Sequence, residues 1–399
     1  MGRALAVSQT ESLSRPAAGR LDRLGVVIAA LVLGAGFLPF AVFRPNRIAP
    51  GQGKLLFDAL PLDTALPVAG MALAAALVAL LRCPAGWRLL ASFCGLAAAA
   101  VGVGLAATHL TAAENPYARV SPGAGFWLAL FAFTLLSTDS LVRLNARPLM
   151  RLALLAGAAL LLWLLLASGL WDQISFMKEY RSRADTFWTE AGRHVTLALG
   201  SLAAAILVGV PLGLLCHRLP RLRNAVLNGL NIVQTVPSMA LFGLLIAPLG
   251  WLAAHAPFLA ALGLSGIGAA PAFVALFLYS LLPIVANTVA GLAGVPAPVT
   301  DAARGMGMTR LQRLAQTEFP LAFPVILTGV RIVMVQNIGL TTIAALIGGG
   351  GFGTFVFQGV GQTAMDLVLL GALPTVLLAF AAAVTLDAAI ELSRKGMAA

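Results

Sequence analysis

Residues 152–170 read LALLAGAALLLWLLLASGL, nineteen positions without a charge. A helix rises about 1.5 Å per residue, so a run of this length crosses the roughly 30 Å hydrocarbon core of a bilayer. Nine further segments have similar character. The ten lie at 24–43, 64–81, 89–109, 124–142, 152–171, 194–216, 224–250, 271–293, 324–346 and 367–391. Across all 399 positions 60% are hydrophobic and 10% charged, where soluble domains are nearer half and a quarter. The expected fold is therefore an all-α integral membrane protein of about ten transmembrane helices.

The formal charge of +11 does not point to nucleic acid, because the 26 Lys and Arg residues are scattered through short connections. Seventeen of them fall in segments on the N-terminal side of the membrane and eight on the other, with Arg331 inside a span. That excess places both termini in the cytoplasm. The first 23 residues are polar and Arg-containing, and the apolar run after them ends at AVFRPN without a small-residue cleavage pattern, so the first span is expected to be retained. Cys83, Cys94 and Cys216 lack metal-ligand spacing and read as packing residues, as His109, His194, His217 and His255 read as span-end residues. No metal site is expected.

Residues 1–171 form an Ala- and Leu-rich extension of about five spans with no evident chemistry. Residues 172–193 are charged and amphipathic, with Ile174, Met177, Tyr180, Ala184 and Trp188 at steps of three or four; they read as an interfacial helix on the outer face. From 194 to 399 the spans acquire prolines, amides and glycine clusters, which hydrocarbon tolerates only where they face protein or a water-filled path. Asn231, Gln234 and Ser238, then Ser280 and Asn287, then Asn337 and Thr341 mark polar stripes on three successive spans. These residues could line a translocation path or simply tie the helices together. Pro237 and Pro283 could act as hinges or as static bends.

One stretch cannot lie in lipid. DAARGMGMTRLQRLAQTEFP at 301–320 carries five charges, and at about 2.5–3.5 kcal/mol each their burial would cost on the order of 15 kcal/mol. Charge counting places this loop, 294–323, in the cytoplasm. Ala303, Gly307, Leu311 and Leu314 then trace an apolar stripe that needs either a groove on a soluble partner or the ends of the chain's own spans.

Asp301-Ala302-Ala303, three residues, Gly307, nine residues, then Thr317-Glu318-Phe319-Pro320 resembles the cytoplasmic loop of ABC importer permeases, Glu-Ala-Ala, three residues, Gly, nine residues, Ile-x-Leu-Pro. Asp replaces Glu, Thr replaces Ile and Phe replaces Leu. NIVQTVPSMALFGLL (231–245), LLPIVANTVAGL (281–292) and ALIGGGGFGTFVFQGV (345–360) are similar to the glycine betaine, choline and proline class, in its order. The resemblance covers about 194–395. It implies a type I importer core, with 1–171 as the long N-terminal extension of some osmoprotectant members.

The resemblance further implies that Asp301, Ala302, Ala303, Arg304, Gly307, Leu311, Leu314 and Pro320 couple to a cytoplasmic ATP-binding-cassette ATPase. It also implies a second permease subunit, identical or paralogous, and an extracytoplasmic substrate-binding protein. No GxxxxGK[ST] phosphate loop occurs, so ATP and Mg are expected on the separate ATPase, with no cofactor on this chain and no catalysis by it. IGGGGFG at 347–353 satisfies GxGxxG, but it follows a span rather than a strand. Gly348, Gly350 and Gly353 are read instead as a flexible outer turn near a gate. Arg331 is expected either to snorkel or to pair with Asp301 or Glu318. An ion-coupled carrier of a small zwitterion would carry buried acidic coupling residues, whereas Asp366 and Asp387 lie near span ends; a membrane enzyme would gather His or carboxylates at one depth.

Overall fold

The computed structural model describes residues 21–47, 49–111, 115, 117–261 and 263–398. These form two compact units, Met1–Asn145 and Ala146–Ala399. Among the described residues nine helices have the length and composition to cross a membrane.

In the first unit α1 (Arg23–Gly36) is followed by strands β1 (Ala41–Arg44) and β2 (Gln52–Lys54), α2 (Leu56–Ala59), α3 (Leu62–Leu80), α4 (Ala85–Leu110), β3 (Arg119–Pro122) and α5 (Ala124–Arg143). The strands form a small antiparallel sheet in the order β2-β1-β3. The expected span at 24–43 is thus only 14 residues of helix, about 21 Å. Pro39 disfavours helix at the residue before it, and the chain turns into β1. Ile28 and Val32 of α1 pack on Ala75, Ala76 and Ala79 of α3 and on Phe133 and Leu136 of α5. Gly25 lets α1 and α3 approach: a Cβ there would sit 1.9 Å from the Ala79 carbonyl oxygen.

A cation is buried in this unit. Arg88, read from sequence as a topology signal in a short connection, is fully buried in the first turn of α4. Its guanidinium donates to Asp22 (3.0 Å), Asp139 (3.0 Å) and the Ala79 carbonyl (2.7 Å). Arg143 also pairs with both carboxylates, at 3.0 and 2.8 Å, and Asp22 caps α1 by accepting from the Gly25 N–H. One network therefore holds α1, α3, α4 and α5 at one end of the unit.

The second unit contains α6 (Pro148–Ala167), α7 (Ser175–Ser182), α8 (Ala184–Arg218), α9 (Pro220–Thr235), α10 (Ser238–His255), α11 (Pro257–Ala261), α12 (Ala269–Ala293), α13 (Ala297–Gly305) and α14 (Arg310–Arg313). A π-helical turn, Leu314–Glu318, leads into α15 (Phe319–Ala344), and α16 (Gly353–Gly361) and α17 (Met365–Ala398) follow. The centre is a packed trio of α8, α12 and α15, joined through Leu202, Ala205, Ile284 and Val333. Gly209 of α8 abuts Ile284 so closely that a Cβ would lie 2.8 Å from it.

Three sequence boundaries are revised. The chain divides at Asn145/Ala146 rather than after 171, because α6 packs on α17 and Arg151 pairs with Glu391. The amphipathic linker breaks at Arg183, and its second half is the start of α8, a 35-residue helix. Of its stripe, Tyr180 packs with Phe187 on Phe352, Phe355, Leu367 and Leu370, while Trp188 stays 65% exposed. The expected span at 224–250 is two helices, α9 and α10, because Pro237 cannot donate to a continuing helix.

Candidate coupling loop and buried polar seam

The charged insert leaves α12, forms α13 and reverses at Gly307, which has φ +79°. There the Gly307 N–H donates to the Arg304 carbonyl (2.9 Å) and the Met308 N–H to that of Ala303 (3.1 Å), closing the helix end around a left-handed residue. Thr309 then starts α14 with a reciprocal capping box to Gln312. The predicted single stripe is consequently split. Ala303 is buried (2% exposed), and Leu314 packs with Phe319 on Leu292, Ala322 and Ile326. Met306 and Leu311 face away, 71% and 73% exposed. Periodicity counted through Gly307 assumed one helix, and the turn resets the phase.

Charges in the insert pair locally. Asp301 and Arg304 lie 3.2 Å apart and are exposed, while Arg313 donates to Glu318 at 2.6 Å. Thr317, where the family loop has Ile, donates its hydroxyl to the Met308 sulfur at 3.8 Å. Pro320 is the second residue of α15, directly after the π-helical turn. Arg331 pairs with neither Asp301 nor Glu318. Its Nε lies 3.0 Å from Asp387 of α17, a carboxylate near a span end that sequence alone could not bring to it.

The polar stripes converge only in part. Asn337 of α15 is fully buried and donates to Ser280 of α12 and Ser201 of α8, both at 2.9 Å. Thr341 donates to the Asn337 carbonyl at 2.6 Å. These groups are satisfied inside the trio and tie its helices together. Ser201 was not singled out from sequence. Asn231 is exposed on α9, and the break at Pro237 puts Ser238 on a different helix, so the expected common face of Asn231, Gln234 and Ser238 does not form.

Gln234 has a different role. Pro283 has no N–H, which leaves the Tyr279 carbonyl, four residues earlier in α12, without its helical donor. The Gln234 side chain supplies one at 2.9 Å. In return the Tyr279 hydroxyl donates to the Val236 carbonyl at 2.5 Å, at the break before Pro237. Asn287 donates to the Pro283 carbonyl at 2.8 Å. The two prolines are thus latched to one another. Gln234→Leu is expected to destabilise the protein by about 1–3 kcal/mol by orphaning a buried carbonyl. In a Pro283→Ala background, where a backbone N–H can return, the same change should cost at least about 0.5 kcal/mol less. Equal costs in the two backgrounds, measured by thermal unfolding, would refute the latch.

The glycine-rich turn is anchored rather than loose. Gly348, Gly350 and Gly351 have φ between +77° and +87°, and Gly353 begins α16, where a Cβ would lie 1.8 Å from the Thr342 carbonyl oxygen. Glu190 of α8 is buried and accepts from the Gly351 N–H (2.5 Å) and the Thr354 hydroxyl (3.3 Å), while Arg193 holds its other oxygen at 2.8 Å. One turn along α8, His194 Nδ1 accepts from the Phe352 N–H at 3.3 Å. The only sequence signal for this anchor was a Glu and a His four residues apart on one helix face.

Residues 205–398 match the profile of the family described as "Binding-protein-dependent transport system inner membrane component". Over 187 residues the chain is 44% identical to the osmoprotectant import permease protein OsmW of Salmonella typhimurium, a match spanning 47% of this chain and 82% of that one. The chain belongs to the ABC importer permeases. This permease is also 38% identical over 202 residues to the carnitine transport permease OpuCB of Listeria monocytogenes, covering 49% of the permease and 85% of its relative. An inward-facing structure of the MetNI methionine ABC transporter covers 52% of the permease and 95% of its own chain at 19% identity, with a TM-score of 0.43.

Residues 22–177 of the permease match a second profile, "ABC transporter permease YehY, N-terminal domain". The N-terminal extension is therefore a domain with relatives of its own. Its profile includes α6, which packs with the C-terminal unit. The permease is a multi-span inner-membrane transport component, not an enzyme, and families of this type work with an ATPase and a substrate-binding protein.

Proposed function

We propose that the permease moves a compatible solute, such as glycine betaine, choline or a proline-like zwitterion, into the cytoplasm, driven by a separate ATPase that docks on α13 and α14. The observation that carries this reading is the divided insert. Ala303 is buried and Leu314 seats the insert on the chain's own helices, while Met306 and Leu311 stand exposed on either side of a turn fixed by Gly307. Such a pair fits a hydrophobic groove of a soluble partner, with Asp301 and Arg304 as rim contacts. Nucleotide and magnesium belong to that partner. A second permease copy or paralogue and an extracytoplasmic binding protein complete the assembly, with both termini cytoplasmic.

The names of the relatives support the solute class, and uncharged amides suit it. With Ser280, Asn337 and Thr341 engaged in the α8–α12–α15 hydrogen bonds and Gln234 on the Tyr279 carbonyl, Asn231, Ser238 and Asn287 remain the proposed path. Reconstitution with the ATPase and binding protein tests the reading: glycine betaine or choline uptake should require ATP. Uptake driven by an ion gradient without the ATPase would overturn it.

A further inference from the structure

We propose that a recess in the N-terminal unit holds one acyl chain of a membrane phospholipid. The recess has a volume of about 300 Å³ and is lined almost wholly by apolar groups of α1 to α5, among them Gly36, Phe57, Ala72, Ala99, Ala129 and Phe133. That volume is at the low end of the roughly 300–1,000 Å³ of ligand sites. Its concavity comes from small side chains. A Cβ at Gly36 would meet nothing within 4 Å, so the recess is open there.

Depth and boundary identify the occupant. The longest wall of the recess, on α5, runs from Gly125 to Phe133, about 12 Å of helix and most of one leaflet of a roughly 30 Å core. At one end Phe40, which lines the recess, donates its N–H to the Lys54 carbonyl at 2.8 Å, so the small sheet lies against that end. Water finds too few polar partners here to be stabilised, and an empty recess would forfeit the dispersion contacts of its lining. A partner helix, about 10 Å across, needs several times this volume. A single hydrocarbon chain fits.

The test uses the full permease in lipid nanodiscs containing a phospholipid with a diazirine near its acyl terminus, and in parallel a diazirine free fatty acid. After irradiation, phospholipid adducts should concentrate on Ala72, Ala129 and their neighbours rather than on Leu160 and Leu161, which are exposed on α6. Ala72→Trp should cut labelling of the lining roughly tenfold, the factor produced by about 1.4 kcal/mol, and Leu160→Trp should leave it unchanged. If Ala72→Trp does not fold, Gly36→Leu, at a position with open space, serves in its place. Labelling spread evenly over α6 and the recess, labelling of the lining by the free acid alone, or its persistence in the filled variant would overturn the proposal.

Discussion

Replacing Met306 and Leu311 together by Asp is expected to abolish ATP-driven uptake while the permease remains inserted and folded. Both side chains are more than two-thirds exposed, so neither contributes core packing whose loss would unfold the protein. Their value lies in what they present. If each anchors the ATPase as interface hot spots do, each substitution costs at least about 2 kcal/mol, roughly thirtyfold in affinity, and two of them remove the complex at working concentrations. Co-purification of the ATPase and its stimulation by solute-loaded binding protein give the readout. Conversely, Leu314→Asp should harm the permease itself, because Leu314 packs on Leu292, Ala322 and Ile326. Retained ATPase binding by the exposed pair of substitutions would remove these two residues from the docking surface.

The second large effect concerns the N-terminal unit. Arg88→Met is expected to destabilise the protein by about 3–5 kcal/mol, because it takes the buried cation from Asp22 and Asp139 and leaves Arg143 alone to serve both. Arg88→Lys should recover only part, since an ammonium cannot reproduce the planar fork that reaches two carboxylates and a carbonyl. Burial acts to raise the pKa of Asp22, but hydrogen bonds from Arg143 and the Gly25 N–H and the charges of Arg88 and Arg143 outweigh it and hold the carboxyl below its ordinary value. A lowered folded pKa contributes stability that is complete above the unfolded value of about 3.9 and is lost as pH falls through the folded value. Unfolding at neutral pH therefore reports the whole network. A change in stability below about 1 kcal/mol would mean that the network holds nothing together.

What the sequence made legible follows from how local each signal is. The charges of 301–320 could not enter hydrocarbon, and the loop motif lies within twenty residues, so the insert and the family were readable from a contiguous stretch. Long apolar helices were readable for the same reason. Arg88 was not, because its partners lie 66 and 51 positions away and a lone Arg beside a span end looks like a topology signal. The Glu190 anchor of the glycine turn joins residues 161 apart. Pro237 was visible, yet hydropathy runs unbroken across it, and only the lost backbone donor shows that two helices meet there. Ser280 and Asn337 were legible as members of separate polar stripes, but the hydrogen bonds that join them to each other and to Ser201 span 57 and 136 positions and were not.

The most direct measurement places a single cysteine at Met306, the exposed residue beside the Gly307 turn, in a cysteine-free background and labels it with a membrane-impermeant maleimide. The account predicts labelling in inside-out vesicles, none in right-side-out vesicles, and protection when the ATPase is bound. Labelling from the outer face, or full labelling in the presence of a bound and active ATPase, would contradict it.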